Sequence, residues 1–465
     1  MGKTRNALKA NNNAELLSYI INVTPELRDE IKLPVQGESI APIGKLIVNN
    51  ERYKNAFINT VNLIGLTVIK RNGWDNPWDF TKRGSLNYGQ QVREIINDLA
   101  NVYDYNANAN DVDRFLENVV PNVYNYIHEV NFQKFYQTTT SDEQIAMAFD
   151  SEEGLFRLID ETIGMLYESL KYDEYLVDKY MLCRRLLDGT VTPHYMANFN
   201  SQTIRERVAE MKGISNKMTF RSPNYNPAGI RRATSFDNQI MILNCEFDAQ
   251  VSTEVLATSF FRNDAEFKTR AKLIDSFSDT DTARLSEVLG SAYIPFSESE
   301  LTELGKVVAV IISDEWFMDY DYRMGVDGQG KYTEFYNPST LKNNHFLHYW
   351  GIKSTSPFEN AVVFTTSQGG VTSISLSPAT ATVDLGQSVQ LTATVVATGL
   401  VNKAVVYSSA DESVATVDSS TGLVTVKSDA TPADTVVITA TSVYDSSVTG
   451  TATITVAGTA PSQGE

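Results

Sequence analysis

Residues 151–188 read SEEGLFRLIDETIGMLYESLKYDEYLVDKYMLCRRLLD. The spacing of Leu155, Ile159, Ile163, Leu166 and Leu170 sets one apolar stripe at helical period. Asp150 and Glu153 are placed to form a capping box ahead of it, and Gly189 and Pro193 end it. Thirty-eight residues at about 1.5 Å each would span roughly 57 Å. That is long for a globular helix and predicts a spine, with a candidate break at Lys171–Glu174.

Around this helix the chain is mixed. LIGLTVIKR (63–71) reads as a strand, a Gly/Pro/Trp-rich stretch runs from Asn72 to Gly89, and residues 90–101 return as strand or helix. This pattern predicts a long two-stranded excursion from the main body. QIMILNC (239–245), KVVAVIIS (306–313) and NAVVFTTS (360–367) predict further strands. Residues 1–13, with Lys3, Arg5 and Lys9 and no acid, read as a mobile arm. The first 368 residues are therefore assigned to the α+β class. Near residue 369 the composition changes: residues 371–458 hold 17 Thr and 17 Val and no Trp, Phe, Met, His or Cys. Seven strand-like runs there, separated by Pro378, Gly386, Gly399, Gly422, Pro432 and Gly450, fit a small sandwich. Gly369-Gly370 reads as a hinge, and residues 459–465 as a loose tail.

The 465 residues predict two or three domains, and 42% hydrophobic with 21% charged residues is globular composition. A net charge of −18 argues against a surface that grips nucleic acid throughout. No run approaches the length of about 20 apolar residues that spans a bilayer, so no membrane partner is expected. The cationic start has no apolar segment behind it and does not read as a secretory signal. Cys183 and Cys245 make no disulfide framework and are expected reduced, in a protein made in a cytoplasm.

A search for chemistry returns little. Gly328-Gln329-Gly330-Lys331 lacks the spacing of a phosphate loop. His128-Glu129 has no second histidine four positions after the first, and His345 and His348, three apart on a strand-like stretch, need not share a face. Cys183 lies near Arg184 and Arg185, which can lower a thiol pKa, but a structural thiol explains it better. Acid pairs such as Glu152-Glu153, Asp160-Glu161, Asp173-Glu174 and Asp411-Glu412 are sequence neighbours, better explained as solvated faces than as a glycosidase pair. Trp316, Phe317, Tyr320 and Tyr322 read as core rather than a sugar platform. No catalytic set, metal site or cofactor is predicted.

Two resemblances go further. Leu385-Gly386-Gln387-Ser388-Val389-Gln390-Leu391-Thr392, Tyr407-Ser408-Ser409, Ser413 to Asp418, Thr421-Gly422-Leu423-Val424 and Ile438-Thr439-Ala440-Thr441 resemble the bacterial Ig-like domain of group two. Tyr407 stands where that family usually has Trp. Leu63 to Lys70, Asn76-Pro77 through Lys82-Arg83-Gly84, Val120-Pro121-Asn122-Val123, His128-Glu129 and Phe135-Tyr136-Gln137 form a second set. It continues with Asp173-Glu174-Tyr175, Glu315 to Met318, Tyr320-Asp321 and Phe358 to Phe364. Together these resemble the major capsid proteins of short-tailed phages related to Bacillus phage phi-29, in which an Ig-like domain also follows the shell domain.

The resemblance implies a Hong Kong 97-type fold. Residues 1–50 would be the N-terminal arm, 63–101 the extended loop, 115–188 the peripheral domain with its spine, and 190–350 mostly the axial domain. Residues 360–367 would return to the peripheral domain, and 371–458 would be the Ig-like sandwich. It implies a non-enzymatic shell protein of the virion, assembled in the host cytoplasm as hexamers and pentamers of itself. Its implied partners are a separate scaffolding protein, a portal at one vertex and packaged double-stranded DNA without sequence specificity. A weak host contact through the sandwich is also expected.

Charge suggests how copies meet. Residues 66–88 carry Lys70, Arg71, Lys82 and Arg83 against two acids, net +2, while residues 150–188 carry ten acids against five bases, net −5. The expectation is a loop laid along the acidic spine of the next subunit, among Asp160, Glu161, Glu168, Asp173 and Glu174, with Trp74 and Trp78 as apolar anchors. Two rivals remain: a bacterial surface adhesin, which needs a signal or anchor, and a polysaccharide-acting enzyme with an accessory sandwich, which needs an acid/base pair in a cleft.

Overall fold

The computed structural model describes residues 13–28, 30–33, 40–50, 52–53, 56–57, 74–87, 89–97, 99–100, 102, 123–141, 143–144, 147, 160–255, 271–323, 330–340 and 342–457. The strand expected at 63–71, the capping box at Asp150 and Glu153, residues 1–12 of the arm expected over 1–13, and the loose tail lie outside the described residues. Within the expected arm stand the helices Asn13–Val23, Pro25–Arg28 and Ala41–Val48. Leu17, Ile20, Ile21, Leu27 and Ile47 there are buried.

The spine is an α-helix over Met165–Leu187, preceded by a wider π-type turn at Asp160–Gly164. It runs without interruption through Lys171–Glu174, so the expected break is absent. Those charged residues do not open the helix because Asp173 and Glu174 are buried and paired rather than solvated. Every residue from Asp173 to Tyr180 is buried.

The burial follows from the helix's place between two sheets. On one side Leu176, Leu182, Cys183 and Leu186 pack against a sheet whose strands lie in the order Thr192–Tyr195, Ala361–Thr365, Val307–Ser313, Gln239–Asn244, Ala271–Ile274. Val307–Ser313 is buried along its whole length, as its unbroken aliphatic sequence requires of a central strand. The sheet's far face is covered by the helix Ile204–Met218, which begins in a Thr203/Glu206 capping box. On the spine's other side, Leu166, Leu170 and Val177 pack with Phe132, Leu347 and Tyr349 of a second sheet. There Lys342–Ile352 pairs antiparallel with Phe132–Ser141 along one edge. Its other edge takes Lys331–Asn337 and, at its end, Asp319–Tyr322. Asp319–Tyr322 in turn pairs in parallel with Lys82–Leu86. The return strand Val92–Asn97 forms a two-stranded ribbon with Val123–His128.

Strand pairing crosses the expected division of the chain. Ala361–Thr365 does not return to the sheet of Phe132–Ser141; it lies between Thr192–Tyr195 and Val307–Ser313, both in the stretch expected to be axial. Conversely, residues 319–352 of that stretch build the sheet of Phe132–Ser141. Sequence neighbourhood does not set sheet partners when connections are long.

The C-terminal region is an all-β sandwich of nine strands between Gly370 and Val456. Two more strands appear than the seven expected: Thr380–Val383 is added, and the run 388–398 divides at the buried Leu391. Tyr407 is buried in its core, and its hydroxyl accepts from the Ala393 N–H at 3.1 Å.

Candidate assembly surface

The charged residues expected to join two subunits are largely joined within one. Lys82 Nζ lies 2.9 Å from Glu174 Oε2 and 3.5 Å from Asp321 Oδ2. Arg83 binds the Asp314 carbonyl at 2.8 Å and Glu315 at 3.0 Å. Asp173 is held in a two-point fork by Arg284, both contacts at 2.8 Å. Trp78 is fully buried, its indole N–H donating to the Leu273 carbonyl at 2.9 Å. These residues thus have partners within their own chain, and Lys82 of the loop meets Glu174 of that chain's spine. Trp74, 43% exposed and edge-on to Tyr172 and Tyr175, and Glu168 remain at the surface. Asp160 and Glu161 fall in the turn before the spine, with side chains outside the described residues, as are Lys70 and Arg71 entirely.

A second buried set lies one turn along. Lys353 Nζ contacts Asp178 Oδ1 at 2.8 Å and Asp319 Oδ2 at 3.1 Å, and Thr81 donates to Asp178 at 2.9 Å. Burial alone would lower the Lys353 pKa, but Asp178, Asp319 and Glu174 outweigh it and raise it well above the usual lysine value. Burial, and then Asp178 beside it, push the Asp319 carboxyl well above the usual range. The sequence reading missed Asp178, Asp319, Asp321 and Lys353. A signal was present: Glu174 and Asp178 continue the four-residue spacing of Leu166 and Leu170, and acids in line with an apolar stripe must be buried and paired.

Other residues singled out by the sequence lie in the core or pair within the sheets. Cys183 is buried, donates to the Phe277 carbonyl at 3.3 Å, and burial pushes its thiol up to about 12. His345 and His348 point to opposite faces of Lys342–Ile352, meeting Thr140 and Thr333. Trp316 and Phe317 are core. Among the described residues, no group of three or more His, Cys, Asp or Glu is placed to hold a metal ion. No described helix is long and apolar enough to cross a membrane.

The outward face of the second sheet carries aromatic rings among polar side chains. The second sheet packs one face on the spine and turns the other to solvent. There Phe135 and Phe335 are each 61% exposed, and Phe135, Phe346 and His348 form a ring cluster with centroids 6.0–6.2 Å apart. The ribbon likewise exposes Ile95, Val123 and Ile127. Exposed aromatic clusters of this kind are candidate protein contacts.

Comparison with known proteins gives the family. Residues 19–365 match the family model of the Phi29-like phage major capsid protein. The chain belongs to that family. Residues 370–456 match the bacterial Ig-like domain of group 2. The major capsid protein of Bacillus phage PZA is 28% identical over 84% of this chain and 81% of its own length. That of Bacillus phage GA-1 is 26% identical over 82% and 75%, and that of Streptococcus phage Cp-1 23% over 67% and 82%. Among solved structures, the capsid of Staphylococcus phage Andhra aligns at TM-score 0.46 and 14% identity, covering 63% of this chain and 84% of that one. The function is that of a major capsid protein of a tailed phage: copies associate into a capsid, and the chain is a component of the virion.

Proposed function

We propose that this capsid protein tiles as hexamers and pentamers, in a Hong Kong 97-type organisation, into a closed head around double-stranded DNA. The outward aromatic face of Phe135, Phe335 and Phe346 is a contact with the next copy. The observation that carries this reading is the two-sided sheet: one face is buried on the spine, and the other exposes Phe135 and Phe335. Shell growth requires each copy to bury enough surface to outweigh the lost freedom of docking, and many weak contacts acting together suffice. Trp74 and Glu168 supply further exposed contact residues from the sequence-derived set. Assembly in the host cytoplasm, with a separate scaffolding protein and a portal at one vertex, belongs to the same proposal. So do a chain that catalyses nothing and a weak host contact through the sandwich. The net charge of −18 supports a wall that does not hold DNA tightly while it is driven in.

The test is the double variant Phe135→Ser/Phe335→Ser, co-expressed with the scaffolding protein and viewed by electron microscopy. Folded, soluble chain without closed shells is the expected result. Normal particles would remove the aromatic face from the account.

A further inference from the structure

Gly369-Gly370 is not a hinge. Gly369 packs so closely on the sandwich that a Cβ there would lie 2.3 Å from Val401 Cγ1, and the Tyr444 hydroxyl donates to its carbonyl at 3.2 Å. The contact extends to the spine. Gly189, just past the spine's last turn, adopts φ +71°, and a Cβ on it would lie 2.0 Å from the Val401 carbonyl oxygen. Only glycine permits both the left-handed conformation and that approach. Leu400 and Val401 then part company. Leu400, 1% exposed, belongs to the shell core with Leu186, Leu187 and Val191, whereas Val401, fully buried, belongs to the sandwich core. Beside them Arg184 lies 3.2 Å from Glu300. Although burial opposes it, the Glu300 carboxyl is held below its usual range by Ser297, by Arg184 and by Lys403 of the sandwich.

We infer that the Ig-like sandwich is a structural clamp on the C-terminal end of the spine helix. Its 399–403 loop completes the shell core and fixes the orientation of the module. This gives the sandwich a function independent of any host ligand and independent of how copies meet. An accessory module on a flexible tether would bury none of its residues in the shell. Here, removing a buried leucine from the sandwich leaves a cavity in the other domain.

All four tryptophans lie before residue 369, so their fluorescence reports the shell alone. In the full-length chain, Leu400→Ala should lower the tryptophan-monitored melting midpoint by roughly 5 °C. It should also open the segment around Gly369 to limited proteolysis. Lys403→Glu, which keeps the apolar plug and reverses the charge facing Glu300, should lower the same midpoint by a smaller amount. It decides the matter should Leu400→Ala fail to fold. A tryptophan transition unmoved by Lys403→Glu, or by a folded Leu400→Ala, would overturn the clamp.

Discussion

In the shell domain Asp178, Asp319, Glu174 and Lys353 are all buried between the spine and its sheets, joined to partners far away in sequence. In the sandwich, Ser442 is the one buried polar side chain among the described residues. Its acids Asp411, Asp418 and Asp445 sit in turns, each accepting from the serine two positions on. One region is pinned by charges that cannot be left unpaired, and the other by alternating aliphatic rows closed by local hydrogen bonds. The difference is one of specificity. A sandwich of short strands finds its register from period-two burial. A helix lying between two sheets has apolar contacts on nearly every side, and paired charges at fixed points select one rotation and one depth.

Removing a pin should therefore cost the shell most. Lys353→Met leaves Asp178 and Asp319 facing each other without a cation, an expected loss of about 3–5 kcal/mol in denaturant unfolding followed by tryptophan fluorescence. Replacing all three by apolar residues of similar volume should recover much of that loss. A single variant as stable as the parent chain would break the contrast between the regions.

The shell should also be the acid-sensitive half. Burial lowers the His345 pKa to about 4 from an ordinary 6.5, and the ring, 3% exposed, faces the Tyr332 hydroxyl and Thr140 Oγ1. The folded pKa is depressed, so the neutral ring's contribution is present above the unfolded value and is lost as pH falls toward the folded one. At pH 5 the expected loss is about 2 kcal/mol. Unfolding at pH 7 and pH 5 should show that slope, and His345→Gln should flatten it.

The smallest effect belongs to the sandwich. Tyr407→Phe removes the acceptor of the Ala393 N–H and should cost about 1 kcal/mol, read from the far-ultraviolet circular dichroism midpoint. A loss as large as that of Lys353→Met would show that the sandwich too depends on single polar contacts.

The same contrast explains what the sequence disclosed. The alternation of Val436, Ile438 and Ala440 is visible in a window of a few residues, and so is the burial it produces. The stripe Ile163, Leu166 and Leu170 was equally local, and all three are buried. Lys82 and Glu174 lie far apart in the chain, and their charges were legible while their pairing was not. The expectation placed the loop on the spine of the next subunit, whereas Lys82 of the loop meets Glu174 of its own chain. Leu400 was hidden for another reason: in a Thr/Val-rich segment nothing distinguishes a leucine that fills a different domain.

The pairing of Asp178 with Lys353, 175 positions later, has a consequence for synthesis. At about 5–20 residues per second a ribosome needs roughly 10–30 seconds to reach the lysine after making the aspartate. Throughout that interval the nascent spine carries an acid that has no cation to bury against. The buried pair therefore cannot close until nearly all of the shell domain has been made. For a protein that associates with its own copies, such a delay would favour assembly from finished molecules.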